Sequence, residues 1–201
     1  MPGVDRFLSE SLEIAIKKNL RAGAEYHMKK TMFEKFGISI RQSIEDIEKL
    51  HQIRKELLGE SDYSQLKKYL GKICTFRKSD DGKHYIITIL DDFLKRKLMD
   101  TIGDDESRKV LTAMTDKNRT TSDVLRLKKI STTSGYRKVN ALIRDGFLIQ
   151  TKRKMVENRR PVDQYTTFYH KILFEVKKDD LSLEIFVNKK LFESSSIFDI
   201  L

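Results

Sequence analysis

The sequence predicts an α+β protein: a helical N-terminal domain with one β-hairpin, then three helices followed by a basic β-hairpin, and a C-terminal β-hairpin. Three observations predict it. Apolar residues recur every three or four positions through most of the first hundred residues and again over 107–144, the period of helices with one buried face. The period falls to two over 73–89, 147–168 and 168–187, where β-branched and aromatic residues alternate. Each of these stretches is divided by a polar segment of turn or loop character. The 201 residues suffice for one large or two small domains. The boundaries fall at 1–102, 103–165 and 166–201.

Val4 to Leu20 reads as a first helix, with Val4, Leu8, Leu12, Ala15 and Ile16 on one stripe. Arg21-Ala22-Gly23 interrupts it before a second helix, Glu25 to Phe36, which Gly37 stops. Ser39 or Ser43 caps a third helix with Ile40, Ile44, Ile47, Leu50, Ile53 and Leu57 on a narrow seam. Such a seam fits helix-on-helix packing, inside the domain or across a dimer. Asp62 to Leu70 forms a short helix. The runs 73–77 and 85–89, separated by a turn containing Asp81-Gly82, form a hairpin. Asp91 or Asp92 caps a helix through Met99 towards Gly103.

From Asp104 the expected order is helix, helix, helix, strand, basic loop, strand. The first helix is Ser107 to Asp116, with Val110, Leu111 and Met114 inward. Thr120 to Asp123 offers several caps for a second helix, which ends at Ile130. Ser131 caps the third, Thr132 to Arg144, with Gly135, Val139, Leu142 and Ile143 inward. Two short helices joined by a tight turn make a helix-turn-helix, whose second helix enters the DNA major groove. Gly135 lowers helix stability by about 1 kcal/mol relative to Ala. Its use is close approach, by the neighbouring helix or by a sugar-phosphate backbone. Thr132, Thr133, Tyr136, Arg137, Lys138, Asn140 and Arg144 fall on the outward face. Arg suits paired bonds to guanine, Asn to adenine, and Thr, Tyr and Lys suit phosphate contacts.

A hairpin follows, with Lys152, Arg153, Lys154, Arg159 and Arg160 at its tip, the expected form of a wing on the duplex backbone or minor groove. Charge distribution supports this reading. The chain is +10 overall, and the window 117–160 holds 13 bases against three acids, so it carries the whole excess. The remainder holds 27 of each sign. One concentrated basic segment is the footprint of a polyanion partner.

The run TTSDVLRLKKISTTSGYRKVNALIRDGFLI (120–149) resembles the winged helix-turn-helix of ArsR-like and related prokaryotic transcription regulators. The shared pattern is a Ser/Thr-rich start, Tyr-Arg within the helix, an apolar pair, then Asp-Gly and a strand. The whole chain, with FEKFGISIRQSIEDIEKL at 33–50, also resembles archaeal two-domain regulators. The resemblance implies sequence-specific recognition of double-stranded DNA, as a homodimer formed through the N-terminal helices or terminal elements, and it names no effector. Metal-sensing relatives use clustered Cys, His and carboxylates, and this chain has no Cys pair.

Other chemistry is not assembled. His27, His51, His84 and His170 show no metal-binding spacing, there is no phosphate-binding glycine loop, and the lone Cys74 sits in an apolar strand pattern. No enzyme and no cofactor is therefore expected. No run reaches the ~18 apolar residues of a membrane span, and the lone cysteine fits a reduced, cytoplasmic setting. The C-terminal hairpin is expected to extend the wing sheet or to cover the domain junction. The apolar tail 194–201 is expected to dock, with a partner subunit as one candidate surface. The rival readings are a nonspecific nucleic-acid binder and a protein-interaction module built on the same helices.

Overall fold

A computed structural model describes residues 3–155, 161–176, 178 and 180–201. Helix α1 (Gly3–Lys18) is the centre of the molecule, with Val4, Phe7, Leu8, Leu12 and Ile16 fully buried. Its predicted stripe thus packs inward at helical spacing. Helix α2 (Ala24–Phe36) buries only Met28 and Met32. Gly37 ends it at φ +67°, donating its N–H to the Phe33 carbonyl.

The long third helix expected from the Ile40–Leu57 seam is instead two helices, α3 (Ile40–Ser43) and α4 (Ile47–Leu58). Ser39 and Gln42 form a reciprocal capping box that starts α3. Glu45 is then held from outside the helix. Arg6 donates two hydrogen bonds to its carboxylate, at 2.8 and 2.6 Å, and the Ser196 hydroxyl donates to its carbonyl at 3.0 Å. A carbonyl committed to Ser196 marks the break. Ile40, Ile44, Ile47, Leu50 and Ile53 stay buried across it, whereas Leu57 is 37% exposed and outside the core.

Helix α5 (Ser64–Ile73) runs directly into β1 (Cys74–Lys78), which pairs with β2 (His84–Ile89). Cys74 is buried, and burial pushes its thiol well above the ordinary range. The Asp91 carboxylate accepts the Leu94 N–H at 2.9 Å and caps α6 (Asp92–Gly103). The C-terminal hairpin, β6 (Lys171–Val176) and β7 (Leu181–Asn188), does not extend the basic hairpin's sheet. Strand β7 pairs with β2, giving an antiparallel sheet of order β1-β2-β7-β6 with Tyr85 opposite Val187 and Ile87 opposite Ile185. Leu183, Ile185 and Val187 are buried, so their alternation served this sheet.

The tail docks on its own chain. Helix α10 (Lys189–Glu193) and a 3-10 turn at Phe198–Ile200 bury Phe192, Ile197 and Ile200. The backbone N–H groups of Ser196 and Ile197 donate to the two carboxylate oxygens of Asp5, at 3.1 and 2.9 Å. Burial raises the Asp5 carboxyl to about 7, because desolvation outweighs those two bonds.

The remaining elements form the second unit: α7 (Asp105–Met114), β3 (Arg119–Thr120), α8 (Thr121–Leu127), α9 (Thr132–Arg144), β4 (Leu148–Lys154) and β5 (Val162–Thr167). Its sheet has the order β3-β5-β4. Helix α7 starts earlier than the expected Ser107, because the Asp104 carboxylate accepts the Ser107 N–H at 2.9 Å and acts as the cap. The unit rests on α1. Gly146, at φ +81°, lies so close to Phe7 that an added Cβ would be 2.4 Å from the Phe7 nitrogen. The Phe7 ring contacts those of Phe147 and Phe168, with centroids at 5.4 and 5.0 Å. An ion cluster closes the same junction. Lys97 reaches Glu10 at 2.7 Å and Asp145 at 3.4 Å, and Arg41 approaches both acids at 3.5 and 3.8 Å.

Candidate nucleic-acid interface

Three local devices place α9. The first is the link from α8. Thr120 caps α8 by accepting the Asp123 N–H at 3.2 Å, and the helix ends in a left-handed turn. There the Ile130 N–H bonds the Leu125 carbonyl at 3.0 Å and the Lys129 N–H bonds the Arg126 carbonyl at 3.3 Å. This is a Schellman closure, in which the position at φ +52° is usually Gly but is Lys129 here. The second is Gly135. A Cβ there would be 2.3 Å from Leu125 Cδ2 and 3.1 Å from Ile130 Cγ2. Of the two uses expected for this glycine, close approach of the neighbouring helix is the one the structure shows. The third is Ser131, which caps α9 and bonds the Ser134 hydroxyl at 2.7 Å, while Ser134 donates to Glu106 of α7 at 3.1 Å.

With Gly135, Val139 and Leu142 turned into the core, the opposite face of α9 is open to solvent. Thr132, Thr133, Tyr136, Arg137, Asn140 and Arg144 are all exposed. No described element covers them. Tyr136 also lines a groove of about 270 Å³ between α8 and α9, together with Ser122, Arg126, Lys129 and Thr132.

The charges on this surface are not equivalent. Arg137, Lys129 and Lys152 are exposed and form no ion pair with any described acid. Arg126 is paired with Asp123 at 3.2 Å and Arg144 with Asp145 at 3.5 Å, and both side chains stay mostly exposed. Lys138 corrects an expectation. Its ammonium bonds Asp104 at 2.7 Å and its side chain is 30% exposed, so it ties α9 to the cap of α7 instead of standing free. Hydrogen bonds from Lys138 and Ser107 hold the Asp104 carboxyl down at about 2.

In the basic hairpin, β4 and β5 pair from Leu148–Thr167 to Lys154–Val162, with a bulge between Gln150 and Lys152. A bulge turns the strand and reassigns the facing of later side chains. Lys152 and Arg153 are exposed, and Arg153 bonds Asp163 at 3.1 Å. The Lys154 side chain and residues Arg159 and Arg160 lie outside the described part.

The groove also brings Ser122, Arg126 and Lys129 to this surface, which the sequence analysis did not count among the outward-facing residues. The signal available was the Lys128-Lys129 pair in the turn; the left-handed conformation of Lys129 leaves no mark in composition. Among the histidines, the structure brings two together. His84 and His170 stack with centroids 5.2 Å apart, and His170 Nδ1 bonds Asp116 at 2.7 Å. No group of three His, Cys, Asp or Glu able to hold a metal ion occurs among the described residues. No described helix is long and apolar enough to cross a membrane.

No protein-family model matches the chain, and a search of curated proteins gives no match.

Proposed function

We propose that this chain is a DNA-binding transcription regulator whose residues 103–167 act as a winged helix-turn-helix. Helix α9 enters the major groove, and the β4–β5 hairpin lies on the backbone or minor groove. The observation that carries the reading is the open polar face of α9, which presents Thr132, Thr133, Tyr136, Arg137 and Asn140 within the segment that holds the chain's entire excess charge. Arg137 and Asn140 are three residues apart on one face, the spacing at which two side chains reach neighbouring base pairs. Lys129, in the turn before α9, and Lys152, in the hairpin after it, supply phosphate contacts. The order of elements agrees with this role: helix, two-residue strand, helix, turn, helix and hairpin.

A homodimer would present two such helices to half-sites about one helical turn apart. Selection of bound duplexes from a random pool, repeated at two salt concentrations, tests the proposal. The expected result is enrichment of a motif with inverted half-sites and an affinity that falls steeply with salt. Binding without enrichment would favour a nonspecific nucleic-acid binder, and no duplex binding at low salt would remove the proposal.

A further inference from the structure

Strand β6 ends the sheet β1-β2-β7-β6, and no described strand pairs with its outer edge. A sheet edge presents unpaired N–H and C=O groups, and natural edges are kept from pairing by charges, proline, shortness or a covering element. The opposite edge is guarded in this way, since β1 closes on Arg77 and Lys78. The edge at β6 has an apolar middle, Ile172-Leu173-Phe174. Leu173 and Phe174 are 38% and 37% exposed, and Val176 beyond them is 83% exposed. Within the described sheet the strand is held by β7, where Ile172 lies opposite Ile185 and Phe174 opposite Leu183.

The order of side chains says what fits this edge. Lys171 and Glu175 flank the apolar triplet, so 171–175 reads cation, three apolar residues, anion. A two-fold axis sets two copies of a strand antiparallel and makes the contact self-complementary. Outward N–H and C=O groups belong to alternate residues along an edge, and outward residues must oppose outward residues. The axis therefore passes through a residue and not between two. Centred on Leu173, it puts Lys171 opposite the partner's Glu175, Ile172 opposite the partner's Phe174, and Leu173 opposite its own copy. Centred on Phe174, it would put Leu173 against the partner's Glu175; centred on Ile172, it would put Lys171 against the partner's Leu173. Of these three registers the first joins opposite charges and sets apolar residues against apolar ones. Lys171 and Glu175 are exposed and share one face of the sheet with Leu173. The Lys171 ammonium lies 5.0 Å from the Phe186 ring centroid, which keeps it on that face. An ammonium has three donors and a carboxylate accepts several bonds at once, so contacts within each chain are compatible with the pair.

From the open edge and the charge order of 171–175 we infer that β6 pairs with β6 of a second copy of this chain, antiparallel about Leu173, joining the two four-stranded sheets into one. This interface supplies the second copy that the proposed regulator calls for, and it does not depend on DNA binding. A monomer that still binds duplex would remove the interface and leave the regulator; a dimer in this register that binds no duplex would do the reverse.

The test is sedimentation equilibrium of the full chain without DNA, which should show reversible dimerisation. Lys171→Glu and Glu175→Lys each set like charges opposite one another at two places in the dimer. Each should weaken dimerisation about tenfold without changing the melting temperature. The double variant Lys171→Glu/Glu175→Lys should restore it. Register is read by cross-linking under a mild added oxidant. Leu173→Cys should form a disulfide-linked dimer, because opposite residues of antiparallel strands have Cα atoms about 4.5–5.5 Å apart, within disulfide reach. Val176→Cys should not, although Val176 is the more exposed residue, since its two copies would lie about 20 Å apart along the strands. The native Cys74 is buried and does not compete. If a charge variant fails to fold, the two cysteine variants decide alone. A monomer at every concentration, a dimer indifferent to the single reversals, no rescue in the double variant, or cross-linking at 176 equal to that at 173 would each overturn the inference.

Discussion

Replacing Gly146 by Ala tests whether α9 and its following strand are seated on α1 as closely as described. Two costs combine at this position. The residue sits at φ +81°, where an L side chain costs about 1–2 kcal/mol. In addition, the new Cβ would lie 2.4 Å from the Phe7 nitrogen and 2.8 Å from the Arg6 carbonyl carbon. These are backbone atoms of a buried helix and cannot rotate aside. Relief requires moving α1 or the Asp145-Gly146 turn, at the about 1–3 kcal/mol of an overpacked core or somewhat more. Gly59 provides the control, since it has φ +72° and nothing within 4 Å of a built Cβ. Urea unfolding should therefore show a loss of about 1 kcal/mol for Gly59→Ala and about 3 kcal/mol or more for Gly146→Ala. Equal losses at the two positions would refute the close seat of α1 on this turn.

Two further predictions concern single residues. Lys129→Gly should raise stability by about 1 kcal/mol, because it relieves a left-handed lysine. The same change should lower duplex affinity and reduce the slope of log affinity against log salt by about 0.9; a gain in stability with an unchanged slope would mean that Lys129 meets no phosphate. Asp5 predicts a pH dependence. Its folded value of about 7 lies above the unfolded value near 3.8, so the folded state holds a proton that the unfolded chain releases in that interval. Its contribution is greatest below pH 4 and declines as pH rises towards 7, by at most about 1.4 kcal/mol per pH unit. Asp5→Asn should flatten that decline in urea titrations between pH 4 and 7, and a parallel pH profile for the two proteins would count against it.

Much of this molecule was legible in its sequence wherever a local rule and the tertiary packing agreed. Ser131 and Arg144 bound α9 where capping chemistry and apolar period placed them, and Asp81-Gly82 turns the first hairpin. The failures came where distant residues intervened. No periodicity reveals that Arg6 and Ser196 would hold Glu45 and split the expected third helix, since both partners lie far away in sequence. The C-terminal strands were recognised by alternation, but alternation does not name a neighbour, and β7 found β2 instead of the basic hairpin. In the candidate interface the outward face of α9 followed from spacing alone. The pairing of Lys138 with Asp104 did not, because a mid-helix lysine beside the exposed face can turn either to solvent or to the cap of a neighbouring helix.

An amide-shift titration of the labelled protein with a selected duplex tests the central claim most directly. Perturbations should gather on residues 120–137 and 150–153, those nearest Lys129, Arg137 and Lys152, and Arg137→Glu should abolish them while the remaining spectrum stays that of the folded chain. Perturbations centred on α2 to α4 instead, or an unchanged response in Arg137→Glu, would contradict a duplex seated on α9.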